Sequence, residues 1–135
     1  MYNLENSRIL FIDKKNDIIF SELEQFFLEK NIPFKSLKVT THELIDKLKE
    51  VSEKPEVTLI SIELISHNIK EQIKIIRKIT NAEIILASKK AINNIIAQAY
   101  SSKICCFLIL PDEKNIAPIA VQAALQMHKK KTSII

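Results

Sequence analysis

Few side chains in this sequence stand where chemistry could be done. Asp13 closes the apolar run RILFID and Lys14 follows it at once, Ser61 lies in VTLISI with Glu63 just beyond, and Ser88 closes EIILAS. A carboxylate next to an ammonium group can form an ion pair, whereas a magnesium site needs several oxygen ligands converging on one point. The serines lack the strand-turn-helix setting and the glycine neighbours that expose a hydrolase nucleophile. His42, His67 and His128 are far apart, on different expected elements, with no cysteine or carboxylate cluster at ligand spacing, so no zinc site is expected. Glycine is absent altogether. No glycine-rich loop is present to bring backbone amides against a phosphate as the nucleotide-binding fingerprints do, and no cofactor is expected.

Cys105 and Cys106 are the only cysteines and stand side by side in ICCFLIL. Neighbours on a strand point to opposite faces, so the pair is expected to be packed as small hydrophobes and not to form a structural disulfide.

The elements around these residues follow from periodicity. Runs rich in Ile, Leu, Val and Phe alternate with longer stretches whose apolar residues recur every three or four positions, which predicts strands alternating with amphipathic helices, five of each. The expected strands are Arg8–Asp13, Phe34–Val39, Val57–Ile62, Glu83–Ser88 and Cys105–Leu110. The first helix carries Ile18, Ile19, Leu23, Phe26 and Phe27 with Asn16 or Asp17 as N-cap, and the second opens on Thr41 and buries Leu44, Ile45, Leu48 and Val51. Ile69, Ile73, Ile76 and Ile79 form the stripe of the third, and Ile92, Ile95, Ile96 and Ala99 that of the fourth. The fifth is expected from near Asp112 through Met127, with Pro118 in its first turns.

Strict alternation implies parallel pairing through right-handed crossovers, hence a three-layer, doubly wound α/β sandwich on a five-stranded parallel sheet. In such sheets the functional crevice lies beyond the carboxyl ends of the strands, where Asp13, Ser61 and Ser88 are expected.

At 135 residues, 47% hydrophobic and 27% charged, the chain is read as one globular domain. Its formal charge of +4 comes from 20 basic and 16 acidic residues spread along its length. The one basic run, Lys129 to Lys131, is expected to be a solvated helix end favoured by the helix dipole. The N-terminus lacks the layout of a signal peptide, and no apolar stretch approaches the roughly 20 residues that span a bilayer. A cytoplasmic location without membrane contact is expected.

In order and spacing, RILFID followed by a helix, EVTLISIEL, AEIILAS and CCFLILP resemble the receiver domains of two-component response regulators. The resemblance covers nearly the whole chain and implies the flavodoxin-like strand order 2-1-3-4-5. Receivers end the first strand with paired acids, carry the phosphorylated aspartate at the end of the third, a hydroxyl residue after the fourth, and a lysine before proline after the fifth. Here Asp13 keeps the first acid, but Lys14 replaces the second and Ser61 the phosphoacceptor. Ala87 takes the hydroxyl position with Ser88 one residue away, and Leu110 precedes Pro111 in place of lysine. The resemblance therefore implies a degenerate, non-enzymatic receiver with neither magnesium nor phosphotransfer. Two placements of Lys14 stay open: in the metal's position, paired with Asp13 and Glu63, or pointing to solvent.

Receivers signal through an aromatic residue on the fifth strand and through the surface of helix four, strand five and helix five. Phe107 holds the aromatic position and is expected to be fixed core. Ile119, Ala123 and Met127 on helix five are the expected interface for a protein partner or a second copy, with Ala120, Ala123 and Ala124 packing on the sheet as the equal alternative. The functional expectation is a phosphorylation-independent signalling module. The alternative is a transcriptional or antitermination regulator that touches nucleic acid through an appended output segment, and a small enzyme ranks last.

Overall fold

The computed structural model describes residues 8–51 and 54–133. Residues 1–7, on which the expectation about a leader rests, lie outside them.

Five strands, β1 (Ile9–Lys14), β2 (Lys35–Val39), β3 (Val57–Ser61), β4 (Glu83–Ser88) and β5 (Cys106–Ile109), form one sheet in the order β2-β1-β3-β4-β5. Every pairing is parallel. The crossovers carry α1 (Ser21–Glu29), α2 (Leu44–Lys49), α3 (Ile69–Ile79) and α4 (Asn93–Ser101), and α5 (Ala117–Ser133) follows β5. This is the expected doubly wound sandwich, with a 3₁₀ turn at Ile62–Leu64 where β3 was expected to run one residue further. Among the described residues, no helix is long and apolar enough to cross a membrane.

The period-two geometry of the strands splits the core into two layers. Ile9, Phe11, Val57, Leu59, Ile85 and Leu108 pack with α1 and α5 on one face, and Leu10, Ile12, Ile60, Ile84, Leu86 and Phe107 pack with α2, α3 and α4 on the other. On the first face, fully buried Phe11 is surrounded by the rings of Phe34, Phe20 and Phe27, with centroids at 5.0, 5.2 and 5.3 Å. Such tilted and edge-on contacts suit the ring quadrupoles and tie β1 to α1.

Three helix starts differ from expectation. The N-cap position of α1 is Phe20, without a side-chain cap of its own, so Asn16 and Asp17 do not cap it and Ile18 and Ile19 precede the helix. α2 begins at Leu44 with Glu43 at its N-cap position, not Thr41; in the turn just before it Thr40 Oγ1 accepts the Glu43 N–H (3.2 Å) and Glu43 Oε1 accepts the Thr40 N–H (2.9 Å), a reciprocal pair of the capping-box kind. α5 begins at Ala117, because the segment after β5 is held as a turn by Glu113, whose Oε1 accepts the Ile109 N–H at 2.6 Å. Pro118 is still in the first turn, as expected.

The Thr40 N–H, followed by the Lys15 ammonium 3.0 Å away, holds the Glu43 carboxyl down at about 2, against an ordinary 4.5. A depressed carboxyl contributes stability above its unfolded pKa and loses it as pH falls toward the folded one. Glu43→Gln is therefore expected to be less stable than the parent at pH 6, with the gap in urea midpoint closing between about pH 4.5 and pH 2. A gap independent of pH would contradict the capping role.

Candidate functional site

The register of the sheet assembles the expected crevice. β1 and β3 pair through Ile12 and Ile60, so the next residues, Asp13 and Ser61, end side by side, and Ser61 pairs with Ala87 of β4. Ser88 pairs with Ile109, and Leu110 donates its N–H to the Ser88 carbonyl (2.8 Å) before a cis bond to Pro111. All six residues of the expected pocket thus lie at one edge of the sheet, at the carboxyl ends of the strands.

Asp13 is turned inward. It is fully buried, its Oδ1 accepts the N–H groups of Ile19 (3.0 Å) and Lys14 (3.2 Å), and its Oδ2 accepts that of Phe20 (3.0 Å). Both carboxylate oxygens are therefore engaged by backbone donors where the chain enters α1, and the positive end of that helix favours the charge. Asp13 thus anchors the two residues just ahead of α1, where Asn16 or Asp17 was expected to act. A nonlocal anchor six residues ahead of its donor leaves no local signature.

Lys14 is half-buried on the edge of β1 and makes no ion pair among the described residues. Of the two placements left open, the pairing with Asp13 and Glu63 is not formed, because Asp13 faces the backbone amides. Ion pairs at this edge among the described residues include Lys89 with Asp17 (2.9 Å), Lys15 with Glu43 (3.0 Å) and Lys114 with Glu22 (4.0 Å). Lys89–Asp17 joins the loop after β4 to the loop after β1, beside a cleft of about 360 Å³ also lined by Glu63, Ser88 and Lys90.

Ser61 is fully buried, and its Oγ has no hydrogen-bond partner among the described residues. Ala87 and Leu110 are buried apolar side chains, and the Ser88 Oγ accepts the Lys90 N–H (3.1 Å). A row of one amide-bound carboxylate, one isolated hydroxyl and two hydrocarbons has no anionic nucleophile to present to solvent.

On the face formed by α4, β5 and α5, Phe107 is buried in the α2–α3–α4 layer. Ile119 is 68% exposed and Met127 46%; Ala120 and Ala124 are buried against the sheet, whereas Ala123, expected in the alternative to pack there too, is exposed because it lies on the outer side of α5. Tyr100 receives the Phe107 N–H on its hydroxyl (3.2 Å) and leaves half its surface in solvent. Both cysteines are free and half-buried. Cys105 lies 3.8 Å from the Met127 sulfur, and burial, with Cys106 and Glu83 adding to it, raises its thiol to about 11. Burial and Glu113 push the Cys106 thiol up as well, so both are protonated at neutral pH and poor nucleophiles.

No known protein-family profile matches the chain, and no curated protein matches it in sequence. Solved structures do. A response regulator receiver domain from Methanospirillum hungatei JF-1 superposes with a TM-score of 0.69 at 16% identity, over 93% of this chain and 98% of that one. The chain has the receiver fold. A two-component response regulator from Clostridium difficile matches at TM-score 0.67 and 25% identity over 90% and 97% of the two chains. A response regulator from Burkholderia pseudomallei, solved with a phosphorylated aspartic acid and a calcium ion, matches at 0.62 and 17% over 96% and 72%.

A divalent cation of the kind the receiver fold implies does not fit the residues present. The one acid of the row has both oxygens turned to backbone N–H groups, and its neighbours in the row are a neutral hydroxyl and a methyl. Among the described residues, no three His, Cys, Asp or Glu side chains are grouped to hold a metal.

Proposed function

We propose that the chain is a phosphorylation-independent pseudo-receiver: a regulatory, non-catalytic module that acts through contacts with other proteins. One observation carries this reading. The sole acid retained in the expected pocket, Asp13, is a structural anchor for the segment that leads into α1, with three backbone donors on its two oxygens. A carboxylate so held is not available to a cation, and Ser61 beside it lacks the anionic oxygen that attacks phosphorus. The receiver fold of its structural neighbours supports a role in signal transduction.

The face offered to a protein partner or a second copy is that of α4, β5 and α5, where Tyr100, Ile119 and Met127 leave large apolar surface in water. A chain that sediments as a strict monomer at micromolar concentration and retains no protein partner would remove the support for this surface.

The phosphorylation claim is tested with acetyl phosphate and magnesium, followed by intact-mass measurement. The expected result is an unmodified chain. An adduct of one phosphoryl group, stable in acid and labile in base, would overturn the reading.

A further inference from the structure

A sheet that is not closed into a barrel has two edges, and each presents a row of backbone groups on which another strand can pair. Among the described residues the edges are β2 and β5, and they are defended differently. β2 carries exposed Lys35 and Lys38, charges of the kind that keep an incoming strand away. β5 carries none. The run ICCFLIL, Ile104 to Leu110, has no charge, proline or glycine, which is the composition that pairs most readily with its own kind.

The outward amides of β5 are nevertheless occupied. Leu110 donates its N–H inward, to the Ser88 carbonyl (2.8 Å), and bonds alternate along a parallel ladder, so Leu108 also faces β4 while Phe107 and Ile109 face away from the sheet. Phe107 donates its N–H to the hydroxyl of Tyr100 (3.2 Å), on the last turn of α4, and Ile109 donates its N–H to Glu113 Oε1 (2.6 Å). Glu113 returns its own N–H to the Ile109 carbonyl (2.8 Å), so one residue engages both ladder groups of Ile109. Amides at an open edge are satisfied by water, and stability alone does not call for side-chain acceptors there. What such acceptors change is which other chain can bond to the edge.

We propose that Tyr100 and Glu113 guard the edge of β5, and that what they hold back is pairing of β5 with β5 of a second copy. Two copies related by a twofold axis would meet antiparallel, and each would need the N–H groups of Phe107 and Ile109 for the ladder that joins them. With those amides occupied the sheet ends at β5, and contacts on this side of the molecule are confined to side chains. The guards border the face proposed above for partners but do not rest on that reading. The apolar surfaces of Ile119 and Met127 neither require them nor are required by them.

The test is native-state amide hydrogen exchange with sedimentation velocity, on the full chain carrying Ile119→Asp so that association through α5 does not obscure association through β5. The Phe107 and Ile109 amides are expected to exchange slowly in that background. Tyr100→Phe removes a single oxygen and should speed exchange at Phe107 by at least about tenfold with Ile109 unchanged, and Glu113→Ala should do the reverse. The two changes together should produce self-association at least about tenfold tighter than in the background. Adding Cys106→Lys, a charge such as β2 carries, should reverse it. Fast exchange at both amides before any guard is removed, exchange at Phe107 untouched by Tyr100→Phe, or a folded double variant no more associated than the background would each overturn the proposal. Should Glu113→Ala prevent folding, Tyr100→Phe alone carries the test: association above the background is expected, and association equal to it overturns the proposal.

Discussion

Asp13→Ala is expected to lower the stability of the fold by about 3 kcal/mol, read as a fall in urea midpoint at unchanged m-value. The substitution leaves the N–H groups of Ile19 and Phe20, both buried, without an acceptor, and removes a hydrogen bond from that of Lys14. Hydrogen bonds to a charged acceptor are worth about 1.5–3 kcal/mol each, but they share one carboxylate and one loop, so they do not add. Asp13→Asn should cost less, since an amide oxygen still accepts, although its NH₂ group then faces a backbone donor. A solvent-facing acid kept for metal binding would behave differently, its loss leaving stability nearly untouched. A cost below about 1 kcal/mol for Asp13→Ala would show that the anchor is not structural.

Phe11→Ala is expected to cost about 3–5 kcal/mol, since a fully buried ring is removed from the centre of three others. This position also reports on the site. Phe11 packs on Phe20, and the Phe20 N–H is one of the three held by Asp13, so the ring cluster and the anchor share a residue. The double variant Phe11→Ala, Asp13→Ala should therefore cost less than the sum of the two single changes, by more than about 0.5 kcal/mol. Strict additivity would mean that the start of α1 is positioned by the rings alone.

The fold was legible because its signals are local and repeated. Apolar runs such as VTLI and EIILA are bounded by stripes at helical spacing, and strict alternation leaves few topologies. The pocket positions were also legible, since each lies at or within one residue of the carboxyl end of a strand and the strands are in register. What the sequence concealed were interactions across distance. The segment that leads into α1 has no acceptor side chain next to it, because its acceptor is Asp13 at the end of the preceding strand. The start of α5 was displaced by Glu113, whose side chain stabilises a turn in a segment that otherwise resembles a first helical turn. Lys14 was considered as a partner for Asp13 because it takes the place of the second acid of receivers, and the backbone donors that occupy Asp13, Ile19 and Phe20, lie five and six residues further on. The guard of β5 was invisible for the same reason: Tyr100 lies seven residues before the amide it holds and Glu113 four residues after.

The most direct test of the central claim is an amide NMR titration of the full chain with magnesium chloride, then with beryllium fluoride, which mimics an acyl phosphate on a receiver aspartate. The account predicts no saturable shifts at Asp13, Lys14, Ser61, Ala87 or Ser88, because the single acid of the row is already bound by three backbone N–H groups. Saturable shifts at those residues, propagating to Phe107 and α4, would show a working phosphoryl pocket and contradict it.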